Sequence, residues 1–245
     1  KENFIKASKT DSYHLKSNYK TAFYYAMESK YDEALTINHR ILSKNKNKTE
    51  FILLNAQIYY NKKEFKKALE NYQLVIDLFE REKFIYEKIA RCYTYLENYQ
   101  KAIDTWQEII KLFDDIDNPD IEYALGINYA YLKNTKLAES HFLKSIKLKQ
   151  FTFENEYYSL AKLHKVNGNI SKAIAYLNKT IKEKNDYAAA HYDLLILTEN
   201  KYNNQELLKK YENLHKTYQK DFSKEVNEFL ILKMDSLRNK IFLNQ

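Results

Sequence analysis

Apolar positions along this chain recur with helical rather than strand spacing, in stretches of about a dozen residues broken by short polar runs. Two such stretches, "FKKALENYQLVI" (65–76) and "YQKAIDTWQEII" (99–110), are nearly superimposable, and their likeness continues through the chain. Aligned on one alanine, the equivalent positions are Ala34, Ala68, Ala102, Ala138, Ala173 and Leu207, separated by 34, 34, 36, 35 and 34 residues. Twelve residues earlier lie Ala22, Ala56, Ala90, Gly126, Ala161 and Leu195, and three after those lie Tyr25, Tyr59, Tyr93, Tyr129, His164 and Thr198. Four after the alanine come Asn38, Tyr72, Trp106, Phe142, Leu177 and Tyr211. A fixed period of this length is the mark of a repeat architecture.

Turn residues fall between the two small columns, at "ESKY" (28–31), "NKKEF" (61–65), "LENY" (96–99), "LKNT" (132–135) and "NGNI" (167–170). Asn and Gly tolerate the left-handed conformation that ends a helix. Each period is therefore two antiparallel helices joined by a tight turn, with small residues letting the pair approach closely and large aromatics filling the space beside them. Gly126 costs a helix interior about 1 kcal/mol relative to Ala, and packing contact accounts for it better than a hinge or a ligand site.

The sequence resembles the tetratricopeptide repeat family over about residues 15–221, most closely at Leu125, Gly126, Tyr129, Ala138 and Phe142. The resemblance implies an all-α fold, a right-handed α-solenoid of stacked antiparallel helix pairs whose first helices line the concave side. The expected layout is a lead-in (1–14), repeats at about 15–48, 49–82, 83–118, 119–153, 154–187 and 188–221, and a C-terminal capping helix (222–245). Leu195 and Leu207 make the sixth repeat degenerate. Where the family has a further small residue, seven after the alanine, this chain has Ile41, Val75, Ile109, Ser145, Thr180 and Leu214. The extra residues near "DDIDNPD" (114–120) are expected to offset one repeat from the next, and Asn118 followed by Pro119 fits a cap and first-turn pair. Beyond the repeats, Val226, Phe229, Leu230, Met234, Leu237 and Ile241 fall on one helical stripe, suited to covering the bare face that the last repeat leaves.

Composition narrows the function. Two glycines and one proline in 245 residues leave almost nothing from which to build phosphate-binding loops or sheet hairpins. The longest uncharged run, Phe51 to Asn61, is too short to span a bilayer. Lys1 stands where an initiator Met is usual, so the chain looks trimmed; the expectation is a soluble protein, cytoplasmic or, if a signal or lipoprotein leader was removed, periplasmic. The net charge of +7 is concentrated in the terminal blocks, +4 over 1–50 and +3 over 201–245, and Lys is interleaved with Glu and Asp along the helices. That arrangement fits a solvated surface better than the basic stripe of a nucleic-acid binder.

Catalytic chemistry is not expected. The six His residues never stand four apart or near Cys92 in a metal-ligand spacing. His164 and His191 occupy packing positions, Cys92 lacks a general base at a recognisable spacing, and Asp114 with Asp115 suits a helix end. No metal and no cofactor is implied.

What remains is a surface. The face of each first helix away from the small columns carries Tyr19, Phe23 and Met27 in the first repeat; Leu53, Gln57, Tyr60 and Asn61 in the second; and Glu87, Lys88, Arg91 and Tyr95 in the third. The later repeats supply Tyr123, Ile127 and Tyr131; Tyr158, Lys162 and Lys165; and Tyr192 and Ile196. Tyrosine combines large contact area with a polar tip, which concentrates it at binding hot spots; the alternative is a compositional bias spread over all 23 tyrosines. One subset of the family grips a partner's terminal carboxylate with Lys and Asn at positions that here hold Tyr19, Phe23 and Leu54. That mode is disfavoured. The expected activity is a non-enzymatic scaffold or adaptor that takes an extended peptide with aromatic or aliphatic anchors and a few acidic residues, the latter met by Arg91, Lys162 and Lys165. The alternatives are the sensory portion of a larger regulator, or RNA binding of the pentatricopeptide kind, whose repeats read bases with polar side chains at set positions, whereas the Leu-small-aromatic signature at 125–129 resembles the protein-binding family.

Overall fold

In the computed structural model, which describes residues 2–78, 81–149 and 152–243, all regular secondary structure is helical. Lys1, residues 79–80, 150–151 and 244–245 lie outside the described residues, and with them the ends of the lead-in and of the capping segment.

The chain divides into two compact units. The first contains α1 (Glu2–Thr10) and three helix pairs: α2 (Leu15–Met27) with α3 (Tyr31–Lys44), α4 (Thr49–Asn61) with α5 (Phe65–Asp77), and α6 (Lys83–Tyr95) with α7 (Tyr99–Phe113). The second contains α8 (Pro119–Tyr131, of which Tyr131 groups with the first unit) and α9 (Thr135–Leu148), α10 (Glu154–Val166) and α11 (Ile170–Glu183), α12 (Ala188–Thr198) and α13 (Asn204–Tyr218), and finally α14 (Lys224–Leu243). The division falls after Asp117, within the stretch where the 34-residue spacing lengthens to 36.

The small columns face inward throughout the first five repeats. Ala22, Ala34, Ala56, Ala68, Ala90, Ala102, Ala138 and Ala173 are wholly buried, and Tyr72, Trp106, Phe142 and Leu177 fill the space beside them. The bulkier residues seven after the alanine are buried as well: Ile41, Val75, Ile109, Ser145 and Thr180 are at most 1% exposed. Each buried aliphatic or aromatic side chain in such a column contributes about 1.5–3 kcal/mol of transfer free energy. Asn38, in the aromatic column of the first repeat, is held by donating to Asn55 Oδ1 at 2.7 Å.

Helix ends show where residue-level expectation and geometry part. Ser29, Lys63, Glu97, Lys133 and Gly168 all have positive φ, at the spacing of the repeat itself. After each of the first three the next N–H returns to a carbonyl five residues back (Lys30 to Tyr25, Glu64 to Tyr59, Asn98 to Tyr93), the closing bond of a Schellman cap. Only one of the five is glycine. The asparagines of these turns, Asn98, Asn134 and Asn169, instead stand at the N-cap of the second helix, and Asn134 Oδ1 accepts from the Leu137 N–H at 3.3 Å. A left-handed conformation strains any residue with a Cβ. Lys63→Gly and Glu97→Gly are therefore expected to stabilise the protein by about 0.5–1 kcal/mol each, measured by urea unfolding; a loss of stability in both would mean that another feature holds these turns. Asn118 does cap α8, accepting from Asp120 and Ile121, with Pro119 as the first helical residue.

α14 lays Leu230, Met234 and Leu237 on Leu195, Leu207, Tyr211 and Leu214. Lys233 reaches Glu199 at 2.8 Å, and Glu199 also accepts from the Tyr211 hydroxyl. Of the stripe read from sequence, Phe229 stands at the rim, 41% exposed. It precedes Leu230 by one residue, about 100° around the helix, so the contact line that centres on Leu230 turns it outward.

Candidate functional site

In the first unit, aromatic contacts join neighbouring first helices. Tyr19 on α2 stacks on Phe23 and meets Phe51 of α4 edge-on, with centroids 5.6 Å apart. Tyr60 on α4 meets Tyr95 of α6 at 6.1 Å, and Tyr95 stacks on Phe65 at 4.3 Å and 14°. Tyr131 stacks in the same way on Tyr99, at 4.7 Å. Phe65 and Tyr99, each opening a second helix, are site residues that the sequence reading omitted; the aromatic column Tyr31, Phe65, Tyr99, three before each alanine, carries the signal.

Burial and contact with Tyr95 push the Tyr60 phenol up to about 12, so it stays a neutral donor. The Lys88 ammonium lies 4.4 Å from the Tyr60 ring centroid, and the Arg91 guanidinium 5.7 Å from that of Trp106. Such cation–π contacts contribute about 0.5–1 kcal/mol at exposed sites. Neither cation has an ion-pair partner among the described residues. Met27, Asn61, Arg91, Tyr95 and Tyr131 are exposed; Tyr19, Phe23, Gln57 and Tyr60 are partly buried. Leu54, at the carboxylate-grip position, is buried in the core between α2 and α3.

In the second unit the tyrosines brace the helix that follows. The Tyr123 hydroxyl meets Ser159 Oγ at 3.0 Å, and Tyr158 donates to Asp193 Oδ2 at 2.8 Å. Tyr192 packs edge-on against Phe222 and Phe229. Burial, then Asp193, raises the Tyr158 phenol far above its usual range. Asp193 also takes Lys165 at 2.8 Å, so Lys165 is not free to meet an acidic ligand, contrary to the expectation from sequence. Lys162 remains exposed, 5.1 Å from the Tyr158 ring centroid, while Ile127 is half-buried beneath Phe142 and its neighbours.

The other candidate groups are structural. Cys92 is wholly buried, and desolvation raises its thiol to about 12, which leaves it protonated and unreactive at neutral pH. His191 bonds the Asn185 carbonyl at 2.7 Å and stacks on Tyr218. His164 is buried and stacks on Tyr176 at 3°, and burial lowers its pKa from the ordinary value near 6.5. With the folded value lower, the unfolded chain takes up the proton first as pH falls below about 6.5, so stability declines across that window. His164→Tyr, the residue found at this position in the four preceding repeats, is expected to flatten that decline. Urea unfolding at pH 7.5 and 5.5 measures it, and an equal pH dependence in both proteins would exclude His164 as the cause. Among the described residues no group of three or more His, Cys, Asp or Glu is gathered to hold a metal ion, and no helix is long and apolar enough to cross a membrane.

Comparison with known proteins agrees with this architecture. Residues 27–109 match the family model described as anaphase-promoting complex, cyclosome, subunit 3. The chain is 25% identical over 128 residues to the general transcriptional corepressor ssn6 of Schizosaccharomyces pombe, an alignment that covers 52% of this chain but only 12% of that protein. Among solved structures, a tetratricopeptide repeat protein from Parabacteroides merdae superposes with a TM-score of 0.72 at 17% identity, covering 95% of this chain and 90% of the other. YrrB, a TPR protein with an unusual peptide-binding site, superposes with a TM-score of 0.62 at 16% identity, covering 78% and 96%.

Proposed function

From the premise that the chain is a tetratricopeptide-repeat protein, a family whose fold generally mediates protein–protein contact, we propose that it is a non-enzymatic adaptor. It takes an extended peptide or partner segment along the first-helix faces of its first unit. The observation that carries this reading is the pairing of exposed apolar anchors, Met27, Tyr95 and Tyr131, with two cations, Lys88 and Arg91, that have no ion-pair partner among the described residues. Stacking on Phe65 and Tyr99 holds the two tyrosines in place before a ligand arrives, which reduces the entropy lost on binding. The ligand is therefore a segment with aromatic or aliphatic anchors and acidic residues between them.

Calorimetry against a library of acidic-aromatic peptides tests this. The combined variant Tyr95→Ala, Tyr131→Ala, Arg91→Glu is expected to weaken the best binder by a hundredfold or more, about 3 kcal/mol. Retained affinity would remove this surface from the account.

The likeness to a much longer corepressor favours a second reading, in which the repeats are the partner-recognising portion of a larger regulatory protein. The complete reading frame discriminates: an adjoining output domain supports it, and a frame no longer than the repeats speaks against it.

A further inference from the structure

In the fourth and fifth repeats a ring on the first helix lies flat on a ring of the second: Tyr129 on His141 at 5.2 Å and 8°, and His164 on Tyr176 at 5.4 Å and 3°. The same two columns in the sixth repeat hold Thr198 and Lys210, neither of them a ring. Leu195 and Leu207 meanwhile stand where the other repeats have alanine or glycine, and α12 and α13 approach each other along less of their length than the pairs of the first unit do. The outcome is a cleft of about 350 Å³ at the place where the rings are missing. Its walls include Leu194, Leu195 and Leu214, with Thr198 at the vacated position and Lys210 opposite. The Lys210 ammonium lies 4.4 Å from the Tyr202 ring centroid and has no ion-pair partner among the described residues.

We propose that this cleft is a binding site for an aromatic carboxylate. The ring takes the space that Tyr129 and His164 occupy in their own repeats, between leucine side chains that supply apolar contact. The carboxylate meets Lys210, which gains the counter-charge it lacks. A cleft of this size suits one small planar group. Such chemistry comes from a free aryl acid or from the C-terminal aromatic residue of a partner chain. The site is independent of the peptide-binding surface proposed on the first unit.

Calorimetry on the whole chain with 4-hydroxyphenylacetate, indole-3-acetate and a hexapeptide ending in tyrosine tests the proposal. Saturable one-to-one binding of either small acid supports a free ligand, and binding of the peptide alone supports a partner terminus. In both cases Lys210→Gln is expected to weaken binding about tenfold, the loss of one charge-assisted contact. Thr198→Tyr restores the missing ring, and is expected to abolish binding and raise Tm by about 2–4 °C. Absence of binding by all three probes at millimolar concentration overturns the proposal. So does undiminished binding by Thr198→Tyr, or a lowered Tm in that variant, because either would mean that the space is not the ring's. The triple variant at Tyr95, Tyr131 and Arg91 should leave this binding unchanged, which separates the two sites.

Discussion

Lys149→Ala is expected to destabilise the protein by about 3 kcal/mol, whereas Glu156→Ile should be neutral or stabilising. Glu156 is wholly buried, in a column that holds Phe51, Ile85 and Ile121 in the preceding three repeats. Its Oε1 lies 2.5 Å from the Lys149 ammonium and 3.2 Å from Ser145 Oγ, and its Oε2 has no hydrogen-bond partner among the described residues. A hydroxyl carries one proton, and the shorter contact of Ser145, 2.7 Å to the Pro119 carbonyl, claims it. The buried charge thus rests on Lys149. Removing that ammonium strands a carboxylate in the core, a change that costs about 3–5 kcal/mol elsewhere. The lower figure applies because the lysine itself is 24% exposed and water can partly replace it. Isoleucine restores the apolar column and frees Lys149 to turn to solvent. Urea unfolding of the two variants decides: a Lys149→Ala loss under about 1 kcal/mol, or a Glu156→Ile loss as large as that of Lys149→Ala, would show that the pair is not an isolated buried charge.

Gly126→Leu should cost about 3 kcal/mol, and even Gly126→Ala should lower stability despite the gain in helix propensity. A Cβ at this position would come within 2.6 Å of Cδ1 and Cε1 of Phe142, and within 3.2 Å of its Cγ. That ring is 1% exposed and held in its own core cluster, so it cannot swing aside. Overpacking of this kind costs about 1–3 kcal/mol, against the roughly 1 kcal/mol that alanine gains in a helix. The sign should reverse once the ring is gone. In a Phe142→Leu background, Gly126→Ala is expected to stabilise by about 1 kcal/mol. A double-mutant cycle with no coupling between the two positions would dismiss the contact as the reason for glycine.

Much of the architecture was readable from residues alone. The two small columns and the aromatic column repeat at a near-constant interval, and their burial follows because a helix pair can close only where side chains are small. The Asn118 cap and the five turns were readable for the same local reason. The left-handed turn residues were not: four of the five are Ser, Lys or Glu, and no residue preference announces a conformation that the surrounding hairpin imposes.

The candidate surface divides in a similar way. Its tyrosines could be assigned to the first helices by spacing, but not sorted into those left exposed and those that brace a later helix. Tyr158 and Tyr192 are tied to the next helices, Lys165 is neutralised by Asp193, and Phe65 and Tyr99 enter from second helices.

By itself the sequence determined that this protein is a series of helix pairs, because periodic small residues dictate which faces meet. Tertiary structure alone decided which polar side chains stay free, where a lone carboxylate is buried, and where the sixth pair leaves a gap. Those outcomes depend on contacts between side chains of different helices or their ends, and such contacts are fixed by side-chain direction and neighbouring bulk rather than by any local pattern.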